Sequence, residues 1–320
     1  MQTTKYKTLA MLINQDKITE IFCMADDFCK VYDKFIKING LAPKRDKSKR
    51  KYHRDHRMSD AEIITIMILY HLSGYKCFKY YYKECVCKEL SSMFPAVVSY
   101  NRFTELEKKV VVPFVLFLKK CLMGKCTGIS FVDSTALRVC KNQRIHMHKV
   151  FKGLAQRGQC SMGWFYGFKL HLICNETGEL LSFMLTPGNV DDRDPLKNSS
   201  FLEAISGKLV GDKGYISKGL FEKLFVDGIQ LITKLKSNMK GALMTVSDKL
   251  LVRKRAIIET INDELKNIAD VEHSRHRAVV NFTVNLIASL AAYHFFPKKP
   301  MITVDRYVDP SNGAIQLSLF

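Results

Sequence analysis

The chain has 320 residues, 47% of them apolar, which is ample to bury one large core or two ordinary ones. Fifty Lys and Arg against thirty-one Asp and Glu give a formal charge of +19, which repels itself unless a polyanion shares the field, so nucleic acid is the first candidate partner. Ten scattered cysteines without Cys-x-x-Cys pairs, in a chain without a leader or lipid motif, argue against a secreted disulfide framework and a membrane anchor, and for reduced thiols in a cytoplasm.

The first third reads as helical. Residues 44–57 form a dense basic run, with Lys44, Arg45, Lys49, Arg50, Lys51, Arg54 and Arg57 and no apolar periodicity. Such a run is usually a solvated arm, and beside a helical cluster it suits phosphate contacts, which give affinity without base specificity. Ser59-Asp60-Ala61-Glu62 is a capping box opening an apolar helix from Ile63 to Leu72, and Gly74 stops it. Helical stretches follow at about 78–90 and 102–123, with a break at Pro113. Tyr80, Tyr81 and Tyr82 offer rings for stacking on bases, although a packed aromatic helix face is the commoner use of such a triplet. Residues 1–126 are therefore read as a helical DNA-binding region.

From about residue 127 short apolar runs bounded by Gly, Pro and Asn alternate with helical patterns. Strands are expected at 129–133, 165–174, 180–186, 209–212 and 230–234, and helices at 194–205, 217–227 and 248–269. This α/β order suits a ribonuclease-H-like mixed sheet, and other mixed sheets share it. The catalytic domain is placed at 127–297. Within it, Cys140, His146, His148 and Cys160 have residue types suited to zinc, but their spacing is irregular and cationic residues lie between them, so a basic loop over DNA is the better reading. Trp164, Phe165 and Tyr166 are read as buried, or as a stack for a flipped base near the cleavage point. The run 279–296 approaches the length of a membrane span, but Asn281, Asn285 and His294 interrupt it, and a buried core helix fits better. Residues 298–320 have the composition of a flexible tail.

Three acids stand out. Asp133 ends the run Ile129-Ser130-Phe131-Val132 and Asp212 ends Leu209-Val210-Gly211, where buried strands meet the surface. Taken singly, each is also an ordinary cap or turn residue. On the helix that follows, Arg255, Glu259, Asn262 and Lys266 fall on one face at about 100° per residue, opposite Ile257, Ile258, Ile261, Leu265 and Ile268. Asp263 lies at the edge of that stripe and Glu264 on the far side. Three converging carboxylates repel one another unless a cation neutralises them, and hard oxygen ligands select Mg²⁺ or Mn²⁺ over zinc. Two ions about 3.5–4 Å apart suit an in-line displacement at phosphorus. Arg255, Asn262, Lys266 and Lys213 are then placed for neighbouring phosphates, and His171, inside an apolar strand, has at most a supporting place.

The run Arg253-Lys254-Arg255-Ala256-Ile257-Ile258-Glu259-Thr260, with Arg255-x3-Glu259-x6-Lys266, resembles the signature around the third acid of bacterial insertion-sequence DDE transposases. Phe131-Val132-Asp133-Ser134-Thr135 and Val210-Gly211-Asp212-Lys213-Gly214-Tyr215 resemble the segments around the first two. Gly167-Phe168-Lys169-Leu170-His171 and Thr186-Pro187-Gly188-Asn189-Val190-Asp191-Asp192 resemble segments between them. The similarity runs nearly end to end and is closest to the insertion-sequence nine-eighty-two group. Two positions depart from the pattern: Val252 stands where a tyrosine is common, and Asp191 where related proteins often carry histidine.

The resemblance implies metal-dependent hydrolysis at the element's ends and attack of the freed 3′-hydroxyl on target DNA. It also implies double-stranded DNA as partner and self-association on DNA, in the cytoplasm at the nucleoid. A nuclease of the same fold that does not join strands, or a DNA-binding protein without catalysis, are the competing readings. The last five residues, Gln316, Leu317, Ser318, Leu319 and Phe320, resemble the pentapeptide that binds the bacterial sliding clamp.

Overall fold

The computed structural model describes residues 14–41, 57–234, 244–272, 276–303, 305–308 and 315–318. The basic residues Lys44, Arg45, Lys49, Arg50, Lys51 and Arg54 lie outside the described residues, as do Leu319 and Phe320; Arg57 is described and exposed. The chain divides into two compact units: residues 1–122 with 268–296, and residues 123–267 with 297–320.

The first unit is helical. Helix α1 (Gln15–Ile38) starts where the Asn14 side chain accepts the Lys17 amide at 2.8 Å. Helix α2 (Asp60–Ser73) opens with the expected capping box: the Ser59 hydroxyl accepts from the Glu62 amide and the Glu62 carboxylate accepts from the Ser59 amide. Gly74 ends it at φ 74°, a left-handed turn that costs glycine little. Helix α3 (Phe78–Tyr81) continues as a π-helical stretch over Tyr82–Glu89. Tyr81 and Tyr82 are buried and donate to the carbonyls of Ile66 and Val98, which leaves only Tyr80 of the triplet exposed. Helices α4 (Tyr100–Leu106) and α5 (Val111–Phe117) follow. The break precedes Pro113, which sits in the first turn of α5, where a missing amide hydrogen leaves no bond unmade.

The long apolar run forms α10 (Val279–His294) and packs on α2 and α5. No described helix is long and apolar enough to cross a membrane. Both α2 and α10 are buried nearly all round, as central helices are. Residues 268–296 thus belong with the helical unit by their contacts, while the sequence reading placed boundaries at 126 and 297.

The second unit is built on a mixed sheet. Its strands are β1 (Ile129–Cys140), β2 (Gln156–Cys160), β3 (Gly163–Asn175), β4 (Leu180–Pro187), β5 (Gly207–Gly211) and β6 (Ile229–Thr233). The path runs β4-β3-β1-β5-β6, with the first three antiparallel and the last two added in parallel. Strand β2, which the sequence pattern does not predict, pairs beside β4 on the same edge of β3. There a Cβ on Gly158 would lie 2.0 Å from the Gly188 carbonyl oxygen, so only glycine lets the strands meet.

Helices α6 (Ser199–Leu202) and α7 (Lys218–Val226) bury Phe201, Leu202, Leu220 and Leu224 with Val132, Ile173 and Leu209 of the sheet. The helix expected over 194–205 is shorter: a 3₁₀ turn at Pro195–Lys197 and then α6. The helix expected over 248–269 is two, α8 (Val246–Lys254) and α9 (Ala256–Asn267), which meet at Arg255. α9 lies over β1 and β3 with Ile257, Ile258, Ile261 and Leu265 buried. In the tail, β7 (Asp305–Val308) pairs antiparallel with β8 (Ile315–Ser318), which replaces the expected flexible segment with a hairpin over those residues.

Glu107 is buried in the helical unit, where the Asn281 amide donates to it and burial pushes its carboxyl from 4.5 up to about 7. A raised carboxyl favours the folded state only while protonated, so its contribution is complete below about pH 4.5 and is lost as pH rises through 7. At about 1.4 kcal/mol per tenfold in proton affinity the loss is on the order of 3–3.5 kcal/mol. Glu107→Gln, which keeps an acceptor for Asn281, should gain up to that much over wild type at pH 8 and almost nothing at pH 4.5; urea unfolding at the two pH values checks it.

Candidate active site

Strand alternation decides which way each β1 side chain points. Val132 faces the core under α7, so Asp133 faces α9, where the Asn262 Nδ2 donates to its Oδ2 at 3.1 Å. The Ser134 amide also donates to Asp133. β5 runs parallel to β1, paired at Ile129 with Lys208 and at Phe131 with Val210, so Asp212 leaves its strand on the same side of the sheet as Asp133. Glu259 lies in the first turn of α9, one turn before Asn262.

Arg255, at the junction of α8 and α9, stands between two of the acids. Its guanidinium lies 3.9 Å from Asp133 Oδ1 and makes a short ion pair with Glu259. Burial pushes the Asp133 carboxyl from 3.8 up to about 6; Arg255 opposes that rise, while Glu259 and Asp212 add to it by repulsion. Asp263 and Glu264 do not act on Asp133, which agrees with their places off the polar stripe. The set is thus a buried acid with two like-charged neighbours and one partial counter-ion.

Hard carboxylate oxygens suit a divalent cation such as Mg²⁺. Among the described residues no three His, Cys, Asp or Glu side chains are drawn tightly enough to hold a metal ion. The arrangement present is one in which Arg255 supplies the positive charge. The donor types and the repulsion on Asp133 fit a cation that would share or displace Arg255's contacts. Asn262 Oδ1 is buried without a partner beside it. Cys140, His146, His148 and Cys160 form no such cluster either.

The other predicted residues take different places. Lys213 is exposed just after Asp212, and Lys266 is half-buried one turn beyond Asn262. His171 sits opposite Ser134 on β3; its Nε2 shares a hydrogen bond of 2.8 Å with Thr186 Oγ1, and burial lowers its pKa to about 4, so it is neutral. Sequence reasoning missed Asp192. It accepts from Ser134 Oγ at 2.9 Å and from Lys169 Nζ at 3.0 Å, which ties the residue after Asp133 to the loop after β4. The adjacent Asp191, the position that departs from the family pattern, instead pairs outward with Arg193 at 2.6 Å. Two consecutive aspartates gave no sequence signal as to which faces inward.

Residues 123–279 match the family model described as a transposase DDE domain. Over this segment the chain is similar to that family. The segment spans the whole mixed sheet, α8 and α9, and so contains all three acids. Two solved structures resemble the chain loosely. A cryo-EM structure of the piggyBac transposase synaptic complex with hairpin DNA is 17% identical at a TM-score of 0.36, over 72% of this chain and 51% of that one. A crystal structure of the Mos1 strand transfer complex is 10% identical at a TM-score of 0.22, over 82% and 83%. The chain therefore spans about half the length of the piggyBac protein. No curated protein matches its sequence.

In this segment Arg255 holds the Asp133 carboxyl down. Replacing it with glutamine removes that cation and releases Glu259 as an unpaired neighbour, two changes of the same sign. Arg255→Gln should therefore move the Asp133 pKa above 6, read by carboxyl ¹³C NMR titration in chelator; an unchanged or lower value would show that Arg255 is not its counter-ion.

Proposed function

We propose that the chain is a DDE transposase of the bacterial insertion-sequence nine-eighty-two type, with a ribonuclease-H-like catalytic unit. On this reading it binds the ends of its own element, hydrolyses a phosphodiester there and joins the freed 3′-hydroxyl to target DNA. One observation carries the reading: Asp133, within β1, stands in register with Asp212 just beyond the β1–β5 pairing and under the polar face of α9, with Arg255 between it and Glu259. The sheet path, three antiparallel strands followed by two parallel ones, supports the fold assignment.

Asp133, Asp212 and Glu259 would hold Mg²⁺ or Mn²⁺, whose chemistry there is to activate the attacking oxygen and stabilise the leaving one. Asn262 fixes the Asp133 carboxylate by its hydrogen bond, and the Ser134–Asp192–Lys169 network holds the backbone beside it. Arg255, with Lys213 and Lys266, would hold neighbouring phosphates. Neutral His171 adds no charge to the site. The helical unit, with the basic run 44–57, would supply sequence-independent phosphate contacts, and working complexes would hold more than one copy. The place of action is the cytoplasm, at the nucleoid. We assign the sliding clamp as a partner of Gln316 to Phe320.

With a labelled DNA carrying the element's ends, wild type should cleave and join in Mg²⁺ or Mn²⁺ and not in chelator. Asp133→Ala, Asp212→Ala and Glu259→Gln should each lose several kcal/mol of transition-state stabilisation, at least about a thousandfold in rate, with DNA binding kept. Full activity in any one variant would remove that residue from the triad, and cleavage without joined products would make the protein a nuclease. Deleting residues 316–320 should abolish binding to purified clamp without changing end cleavage; unchanged clamp affinity would refute that assignment.

A further inference from the structure

Between Asp133 and Glu176 the sequence contains no Asp or Glu, while Arg138, Lys141, Arg144, Lys149, Lys152 and Arg157 fall within it. A stretch of this length with one sign of charge draws a polyanion. The same stretch holds a cleft of about 390 Å³ lined by Asn142, Arg157 and Trp164, within the size range of small-ligand sites. Trp164 is 63% exposed, contrary to the burial expected for it, while its neighbours Phe165 and Tyr166 are buried. Two features fix the Trp164 backbone there. The Asn142 amide donates to the Trp164 carbonyl at 2.9 Å, and β2 pairs Gln159 with Trp164. No ion pair with a described residue ties up Arg157.

The cleft is distant from the acids. Asp133 pairs with Leu172, and Trp164 lies eight residues earlier on the same strand, about 26 Å at 3.3 Å per residue. That is roughly seven or eight nucleotides of stacked DNA. The indole therefore does not serve the base at the cleavage point. In a duplex both faces of every base are covered by neighbours, so an exposed ring beside a cleft can stack only on a base that has left the stack.

Resting on the transposase reading, we propose that the cleft of Asn142, Arg157 and Trp164 takes an unpaired nucleobase of the bound DNA. The base stacks on Trp164, and its phosphate is held by Arg157. The sequence-tolerant nature of stacking makes this a site for single-stranded DNA of any base composition, some 26 Å along β3 from the scissile phosphate.

Trp164 is the chain's single tryptophan, so intrinsic fluorescence reads this cleft alone. The full-length protein in chelator is titrated with an oligothymidylate of about 12 nucleotides, an abasic strand of the same length, and the corresponding duplex, with occupancy followed by anisotropy. The oligothymidylate should quench the indole, and the abasic strand and the duplex should quench it far less at equal occupancy. Trp164→Ala should weaken single-strand binding about 5- to 150-fold with duplex affinity nearly unchanged, and Trp164→Phe should restore part of it. Arg157→Gln should keep the quenching and reduce the salt slope by about 0.7. Equal quenching by the abasic strand, or equal loss of duplex and single-strand affinity in Trp164→Ala, would overturn the proposal. End cleavage by the same wild-type preparation is read in parallel: cleavage without base-dependent quenching sinks the cleft alone, and base-dependent quenching without cleavage upholds the cleft and sinks the transposase reading.

Discussion

The parallel pairing of β1 with β5 is the constraint on which the site depends. It covers only Ile129 to Phe131 on one strand and Lys208 to Val210 on the other, and both chains leave the pairing in the same direction. Asp133 and Asp212 therefore emerge at one edge of the sheet, two residues beyond the last pair on each strand. An antiparallel partner would have sent the second aspartate to the opposite edge. Parallel strands require a crossover, and the long connection from β3 through β4, α6 and the loops around them supplies it. It buries Phe201 and Leu202 on the face opposite the acids.

Charge follows from that geometry. A largely covered carboxylate within a strand is already costly, and its two neighbours increase the cost. Arg255 offsets part of it because the chain breaks between α8 and α9 at that residue, which frees its side chain to reach Asp133 and Glu259 together. A continuous helix would have kept Arg255 and Glu259 as an ordinary surface pair. The site therefore has a cation of its own in Arg255.

The acids were singled out in the sequence where patterns end, an apolar run for Asp133 and Asp212 and a polar helical stripe for Glu259, although β1 itself continues past Asp133 to Cys140. The rest followed unevenly. β2 was invisible because Gln156-Arg157-Gly158-Gln159 has no apolar alternation; the strand exists only because β3 offers it a partner. α10 was read as a core helix, but a helix that is apolar all round carries no mark of which core it joins. The break at Arg255 and the inward turn of Asp192 are decided by tertiary contacts, and no local propensity signals either one. Pro113 misled in the usual direction: a proline marks a helix boundary, and here it marks the start of a helix instead of the end.

The helical unit is assembled from two stretches of chain, residues 1–122 and 268–296, with the body of the sheet unit inserted between them in sequence. Its central pair, α2 and α10, therefore cannot form until the ribosome has made everything in between. Roughly 150 residues separate the two stretches, on the order of ten to thirty seconds of synthesis at about 5–20 residues per second. Throughout that interval the apolar faces of α2 and α5 lack the helix that covers them in the finished protein. The nascent chain thus carries exposed apolar helix faces for as long as residues 268–296 remain unmade.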